Sequence, residues 1–165
     1  MLLFLDVDGP LVPFGATDRP YPVYDHGAAR PADGAGAAHP LLHRVDPALG
    51  PRLAELGCEL VWATTWGDDA NTCLSPRLGL PRLPVVRWPD EDEPPGRVHW
   101  KTRPLVARAA GRPFVWLDDE LGRADRDWVA LHHPAPALLH RVDHRRGLTE
   151  RDFAAVREWL AARRR

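Results

Sequence analysis

Short, nearly continuous apolar runs recur along this chain, and their lack of alternation is what strands buried on both faces would give. Residues 2–7 (Leu-Leu-Phe-Leu-Asp-Val), 59–64 (Glu-Leu-Val-Trp-Ala-Thr), 83–88 (Leu-Pro-Val-Val-Arg-Trp) and 113–117 (Pro-Phe-Val-Trp-Leu) are four such runs. A weaker strand, or two, falls within 129–142. Helical spacing lies between them. Leu49, Leu53 and Leu56 with Pro47 before them and Gly57 behind predict a helix over 47–56. A short helix over 68–74 would be capped by Asp68, and one over 102–110 by Thr102, with Pro104 tolerated in its first turn. Near the end, Thr149 and Asp152 form a capping box ahead of Phe153, Val156, Trp159 and Leu160, which share one helical face. Strands alternating with helices predict an α/β fold on a mostly parallel sheet.

Two stretches break the pattern. Residues 10–45 are crowded with Pro and Gly and read as an extended flap or loop insertion, with room for a hairpin. The acidic, Pro-rich 89–96 stretch reads as a surface loop. With 165 residues in all, the expectation is one domain over 1–165.

Composition removes several function classes. A formal charge of −1 argues against a broadly electrostatic binder of nucleic acid or membrane surface. No apolar run is long enough for a membrane span, and Met-Leu-Leu-Phe-Leu running into Asp6 lacks the basic start of a signal peptide. Cys58 and Cys73 have neither metal nor redox spacing. A cytoplasmic enzyme without membrane association is the expectation. Lys101 is the one lysine among 22 basic residues, which singles it out where arginine is otherwise the rule. The hexapeptide Leu-Leu-His-Arg-Val-Asp at 41–46 recurs at 138–143, but its flanks do not match and it reads as coincidence or as two similar edge segments.

In an open parallel sheet, ligands bind at the carboxyl ends of the strands. Here those ends carry Asp6-Val7-Asp8-Gly9, Thr64-Thr65 and Asp118-Asp119, with Lys101 just before a predicted helix. Four carboxylates would converge on one ammonium. Each like-charged pair at ~4 Å costs about 4 kcal/mol at an effective dielectric near 20. A divalent cation relieves that repulsion, and hard carboxylate oxygens suit Mg²⁺. A carboxylate, a hydroxyl, a lysine and Mg²⁺ together suit a phosphoryl group.

In this order the four pieces resemble the haloacid dehalogenase-like (HAD) hydrolases, mainly Mg²⁺-dependent phosphatases. Asp6-Val7-Asp8-Gly9 resembles the first motif of that superfamily, Thr64 the second, Lys101 the third and Asp118-Asp119 the fourth. The resemblance implies a Rossmann-like three-layer sandwich and four catalytic residues. Asp6 would attack phosphorus and form an aspartyl-phosphate, Asp8 would act as general acid and then base, Thr64 would bind the phosphoryl group and Lys101 would offset charge. It also implies Mg²⁺ held by Asp6, Asp8 through its backbone carbonyl, and Asp118, with Asp119 a ligand or the partner of one. Asp8 sets the pattern apart from the dehalogenases. The hydroxyl role falls to Thr64 or Thr65, with Thr64 the first after the apolar run. Trp62–Trp66 is also similar to small HAD domains associated with RNA repair, on few residues.

Taken singly, each piece has a plainer explanation. Asp-x-Asp-Gly is a common turn, Asp118-Asp119 a helix cap, Lys101 a surface residue; Asp68, Asp69 and Asn71 read as helix caps. His132, His133, His140 and His144 show no metal spacing, and Trp62, Trp88, Trp116 and Trp159 read as core. Trp66 and Trp100 flank motif residues and are candidates to line the site. The intervals between motifs leave too little chain for a folded cap domain, so substrate contacts fall to Thr65, Trp66 and the flap: Arg19 and Tyr24 first, with Tyr21, His26 and Arg30. A small phosphorylated metabolite or nucleotide is the expected substrate, with a nucleic-acid end as the alternative. A non-catalytic phosphoryl-binding module and a signalling receiver domain are the rivals from another class, the receiver disfavoured because its adjacent acidic pair normally follows the first strand.

Overall fold

The computed structural model describes residues 1–27, 39–89 and 96–163. Its described strands form one four-stranded, fully parallel sheet: β1 (Leu2–Leu5), β2 (Glu59–Trp62), β3 (Phe114–Asp118) and β4 (Ala137–Arg141), in the order β2-β1-β3-β4. The two most apolar runs, β1 and β3, lie at the centre, as burial on both faces requires.

Alternation along each strand divides the core into two layers. Leu3, Leu5, Leu60, Trp62, Val115 and Leu117 pack on one face beneath α1 (Leu49–Glu55), α2 (Ser75–Leu78) and α5 (Glu150–Ala161). Leu2, Phe4, Val61, Phe114, Trp116 and Leu139 pack on the other beneath α3 (Thr102–Ala109) and α4 (Arg123–His132). Three layers result, helices on both sides of the sheet. Each fully buried large side chain contributes about 1.5–3 kcal/mol, so this double-sided burial is the dominant stabilising contribution. Gly50 lets α1 approach α2 closely: a Cβ there would lie 1.7 Å from the Leu78 carbonyl oxygen.

Four expectations need correction. The 83–88 run does not form a strand; it adds a single bridge, Val85 to Trp62, with Trp62 N–H donating to Pro84 O and Val86 N–H to Trp62 O, both at 2.9 Å. Pro84 has no N–H to extend a ladder. Part of the 129–142 interval belongs to α4, and only 137–141 is strand. Asp68 does not cap: its carboxylate pairs with Arg87 at 2.8 Å, and the segment begins as a π-helical turn, Ala70–Leu74, before α2. Thr102 is the first residue of α3 rather than its cap, and its hydroxyl donates to Asp125 at 2.7 Å. The last helix starts as expected, with the Asp152 carboxylate accepting the Thr149 N–H at 2.7 Å. Arg30 and most of 89–96 lie outside the described residues. Among the described residues no helix is long and apolar enough to cross a membrane.

Candidate active site

The carboxyl ends of β1 and β3, the two central strands, stand side by side, and this adjacency brings Asp6 and Asp118 together. Asp6 is 7% exposed and Asp118 is fully buried. Lys101, at the N-terminus of α3, reaches between them: its Nζ lies 2.7 Å from Asp6 Oδ2 and 2.9 Å from Asp118 Oδ2. The Val7 N–H donates to Asp6 Oδ1 at 2.8 Å. Trp116 Nε1–H also donates to Asp118 Oδ2, at 3.2 Å, and the Glu120 N–H to Oδ1, at 2.9 Å.

Asp119 completes an acidic cluster in which carboxylate oxygens of Asp6, Asp118 and Asp119 all lie within 4.8 Å of one another. One ammonium faces three carboxylates, and the protonation equilibria register the imbalance. Burial, with Asp118 adding to it against the pull of Lys101, pushes the Asp6 carboxyl up to about 7. Burial and then Asp118 likewise raise Asp119. Burial alone would lower the Lys101 pKa, but Asp6 and Asp118 together outweigh it, so Lys101 is held charged.

Gly9 closes the turn after β1 with φ +84°, and a Cβ there would fall 2.7 Å from Asp119 Cγ. The glycine thus provides both the left-handed backbone and the space for the Asp119 carboxylate. Asp8 projects beside this turn, held by a hydrogen bond from Trp66 Nε1–H to its Oδ2 at 2.9 Å. Among the described residues no hydrogen bond reaches Asp8 Oδ1 or its backbone carbonyl.

Thr64 is buried at the end of β2, its Oγ1 accepting the Trp66 N–H at 3.3 Å and its carbonyl the Trp88 Nε1–H at 3.0 Å; Thr65 is exposed. Trp66 is half-buried, its ring 4.6 Å from His39. Trp100 is 42% exposed, set edge-on to Trp88, with its ring 5.7 Å from Lys101 Nζ. Arg19, Tyr21 and Tyr24 line a cleft at the base of the flap whose lining includes none of Asp6, Asp8, Asp118 and Asp119. Trp62 and Trp116 are core, as expected, while Asn71 is a buried bracket that accepts Trp62 Nε1–H and Leu83 N–H.

Two neighbours of the site escape a reading of the motifs. Buried Asp125 accepts the His99 N–H (2.6 Å) and Thr102 Oγ1–H (2.7 Å) on Oδ1, and the Gly122 N–H (2.8 Å) on Oδ2. It thereby ties the segment that carries Lys101 to the start of α4. Its sequence signal is an acid in a helix's first turn, visible only once α4 is recognised. His99 accepts the Lys101 N–H on Nδ1 at 3.2 Å, so its Nε2 bears the proton and donates to Glu120 at 2.8 Å.

A divalent cation fits the Asp6–Asp118–Asp119 cluster: three hard oxygen donors close together and an excess of negative charge. His99, Asp118 and Glu120 also converge within 4.8 Å, but both His99 ring nitrogens are already hydrogen-bonded.

No curated protein and no solved structure matches the chain. One family model does, over residues 2–153, and it describes the HAD domain in Swiss Army Knife RNA repair proteins. With its parallel sheet, its Asp-x-Asp-Gly turn after β1 and its acidic pair at the end of β3, the chain belongs to that family of HAD domains.

Proposed function

We propose that this protein is a Mg²⁺-dependent phosphomonoester hydrolase that works through an aspartyl-phosphate on Asp6. The carrying observation is the buried contact of Lys101 Nζ with both Asp6 and Asp118, which joins residues of the first, third and fourth motifs in one cluster. Asp6, Asp118, Asp119 and the Asp8 carbonyl would hold the cation, which when bound offsets negative charge on the carboxylates and the phosphoryl oxygens.

In this reading an Asp6 carboxylate oxygen forms a bond to phosphorus as the ester oxygen departs. Asp8, with Oδ2 fixed by Trp66, gives the leaving oxygen a proton from Oδ1 and later takes one from the water that hydrolyses the acyl phosphate. Lys101 keeps Asp6 oriented and faces the charge that builds on the transferred group. Thr64, buried at the end of β2, is the hydroxyl we assign to phosphoryl binding, with Thr65 and Trp66 at the substrate side. We take 1–165 as one catalytic domain without a folded cap, the flap covering the site in part.

For the substrate, the family description favours the phosphate end of a nucleic acid over a small sugar or acid phosphate. Magnesium-dependent phosphate release is the test, measured with glycerol phosphate, mononucleotides and phosphate-ended oligonucleotides. The expected result includes a hydroxylamine-sensitive phosphoenzyme that Asp6→Asn abolishes. Phosphate binding without release from any of these would favour a non-catalytic module instead.

A further inference from the structure

The flap, the N-terminus of α1 and the loop after β4 enclose a cleft of about 340 Å³, within the size range of small-ligand sites. Four arginines are among the residues that line it, Arg19, Arg44, Arg145 and Arg146, alongside Tyr21 and Tyr24. In a chain of net charge −1 this is a concentrated basic surface. The one carboxylate in the lining, Asp46, is turned to the Tyr24 hydroxyl.

The cleft is partly organised in advance. The Arg44 guanidinium stacks 4.1 Å over the Tyr21 ring and donates to the Pro13 carbonyl at 2.9 Å, while the Tyr21 hydroxyl donates to Gly15 O at 3.2 Å. Flap and loop are joined by the Phe14 N–H, which donates to His144 O at 2.9 Å. Arg19, Arg145 and Arg146 are exposed, and their guanidinium groups make no hydrogen bond or ion pair among the described residues. Such groups, beside aromatic rings, suit a ligand that carries both phosphate and base.

Position decides which ligand. The cleft begins at Pro10, two residues beyond Asp8, a span of at most ~7 Å. Leu148 N–H donates to Pro10 O at 2.9 Å, and a Cβ on Gly147 would lie 3.1 Å from that oxygen and 3.6 Å from Gly9 O. The cleft and the Asp6–Gly9 turn therefore share a wall. We propose that the cleft binds the phosphodiester and base next to the terminal phosphate of a single-stranded nucleic acid, selecting strands over mononucleotides. Which phosphate reacts rests on the hydrolase reading above; binding to the cleft does not.

The test uses the full chain carrying Asp6→Asn, with a single-stranded RNA octamer that is phosphate-ended at one terminus and fluorescently labelled at the other. Adding Arg145→Ala and Arg146→Ala is expected to weaken binding roughly tenfold or more, and to lower the slope of log Kd against log salt by about one per arginine lost. In the catalytically intact chain, the same pair should lower the ratio of kcat/KM for the octamer to that for glycerol phosphate. Unchanged octamer affinity and an unchanged ratio would overturn the proposal. So would an equal loss with a nucleoside bisphosphate, which would make the occupant a lone second phosphate. If the intact chain hydrolyses nothing yet the variant loses RNA affinity, the hydrolase reading fails and the cleft assignment stands.

Discussion

Trp66 donates its indole N–H to Asp8 Oδ2 at 2.9 Å, joining the segment after β2 to the turn after β1 across 58 positions of sequence. One oxygen of Asp8 is thereby fixed, and among the described residues the other accepts no hydrogen bond. Trp66→Phe keeps the aromatic packing against His39 and removes only the donor. We expect kcat to fall by roughly tenfold, about 1.4 kcal/mol of lost positioning, with Mg²⁺ affinity unchanged. Pre-steady-state measurement of phosphoenzyme formation and decay checks this: both steps should slow, since the proposed mechanism uses Asp8 in both.

Replacement of Lys101 is expected to be costly for a physical reason. Its buried ammonium contacts Asp6 and Asp118 at once, so Lys101→Met would leave two buried carboxylates facing each other. Breaking a buried ion pair from one side costs about 3–5 kcal/mol. Chemical denaturation should show a loss of that order in the metal-free protein, with partial recovery in Mg²⁺. Lys101→Arg should fold yet lose most activity, because the planar guanidinium is larger and aims its donors differently. Near-normal turnover in the arginine variant would remove Lys101 from the mechanism.

If Asp6 binds the metal as proposed, its raised carboxyl is expected to make that binding pH-dependent. With its folded value near 7 and its ordinary value at 3.8, Asp6 in the native, metal-free protein retains a proton that the unfolded chain has lost between those values. Its contribution to stability is therefore complete below about pH 4 and lost as pH rises through 7. Mg²⁺ requires the ionised carboxylate, so affinity should increase up to pH 7 and level off above it. Calorimetric titration in two buffers should detect proton release at pH 6 and little at pH 8.5. Equal proton release at both would contradict the assignment of Asp6 as a ligand.

Asp125 acts at a distance from the reacting atoms. Asp125→Ala strips three hydrogen-bond donors of their buried acceptor, each orphaned group costing about 1–3 kcal/mol. Both melting temperature and kcat should fall. Asp125→Asn, which keeps a single carbonyl acceptor, should recover more stability than activity, since the register of the Lys101 segment would still shift. Full activity in a destabilised Asp125→Ala protein would show that α3 positions Lys101 without it.

Gly9 is the place where backbone and site meet. Gly9→Ala puts a methyl 2.7 Å from Asp119 Cγ on a backbone at φ +84°. The expected result is loss of Mg²⁺ binding by displacement of Asp119, measured by titration, with the fold retained by far-ultraviolet circular dichroism.

Much of this protein was legible in the order of its residues. Apolar runs at 2–7, 59–64 and 113–117 are long enough and uniform enough to require burial on both faces, and each ends in the groups that form the site. A strand's side-chain chemistry and its terminus are local properties, readable without neighbours. The Thr149–Asp152 box is equally local, because both partners lie within one helical turn. The 83–88 run differs for the opposite reason: its apolar residues satisfy a strand pattern, but Pro84 lets it add only a bridge to Trp62. Helix α4 has a local signal only at its start, where Asp125 accepts the Gly122 N–H, while the other oxygen of Asp125 bonds to His99 and Thr102, more than twenty residues away, which only the tertiary structure brings near. The Trp66–Asp8 bond, the arginine-lined cleft and the raised Asp6 carboxyl likewise have no local signature. They depend on which strands neighbour one another, and sheet order is set by the packing of two core layers, which no single segment encodes.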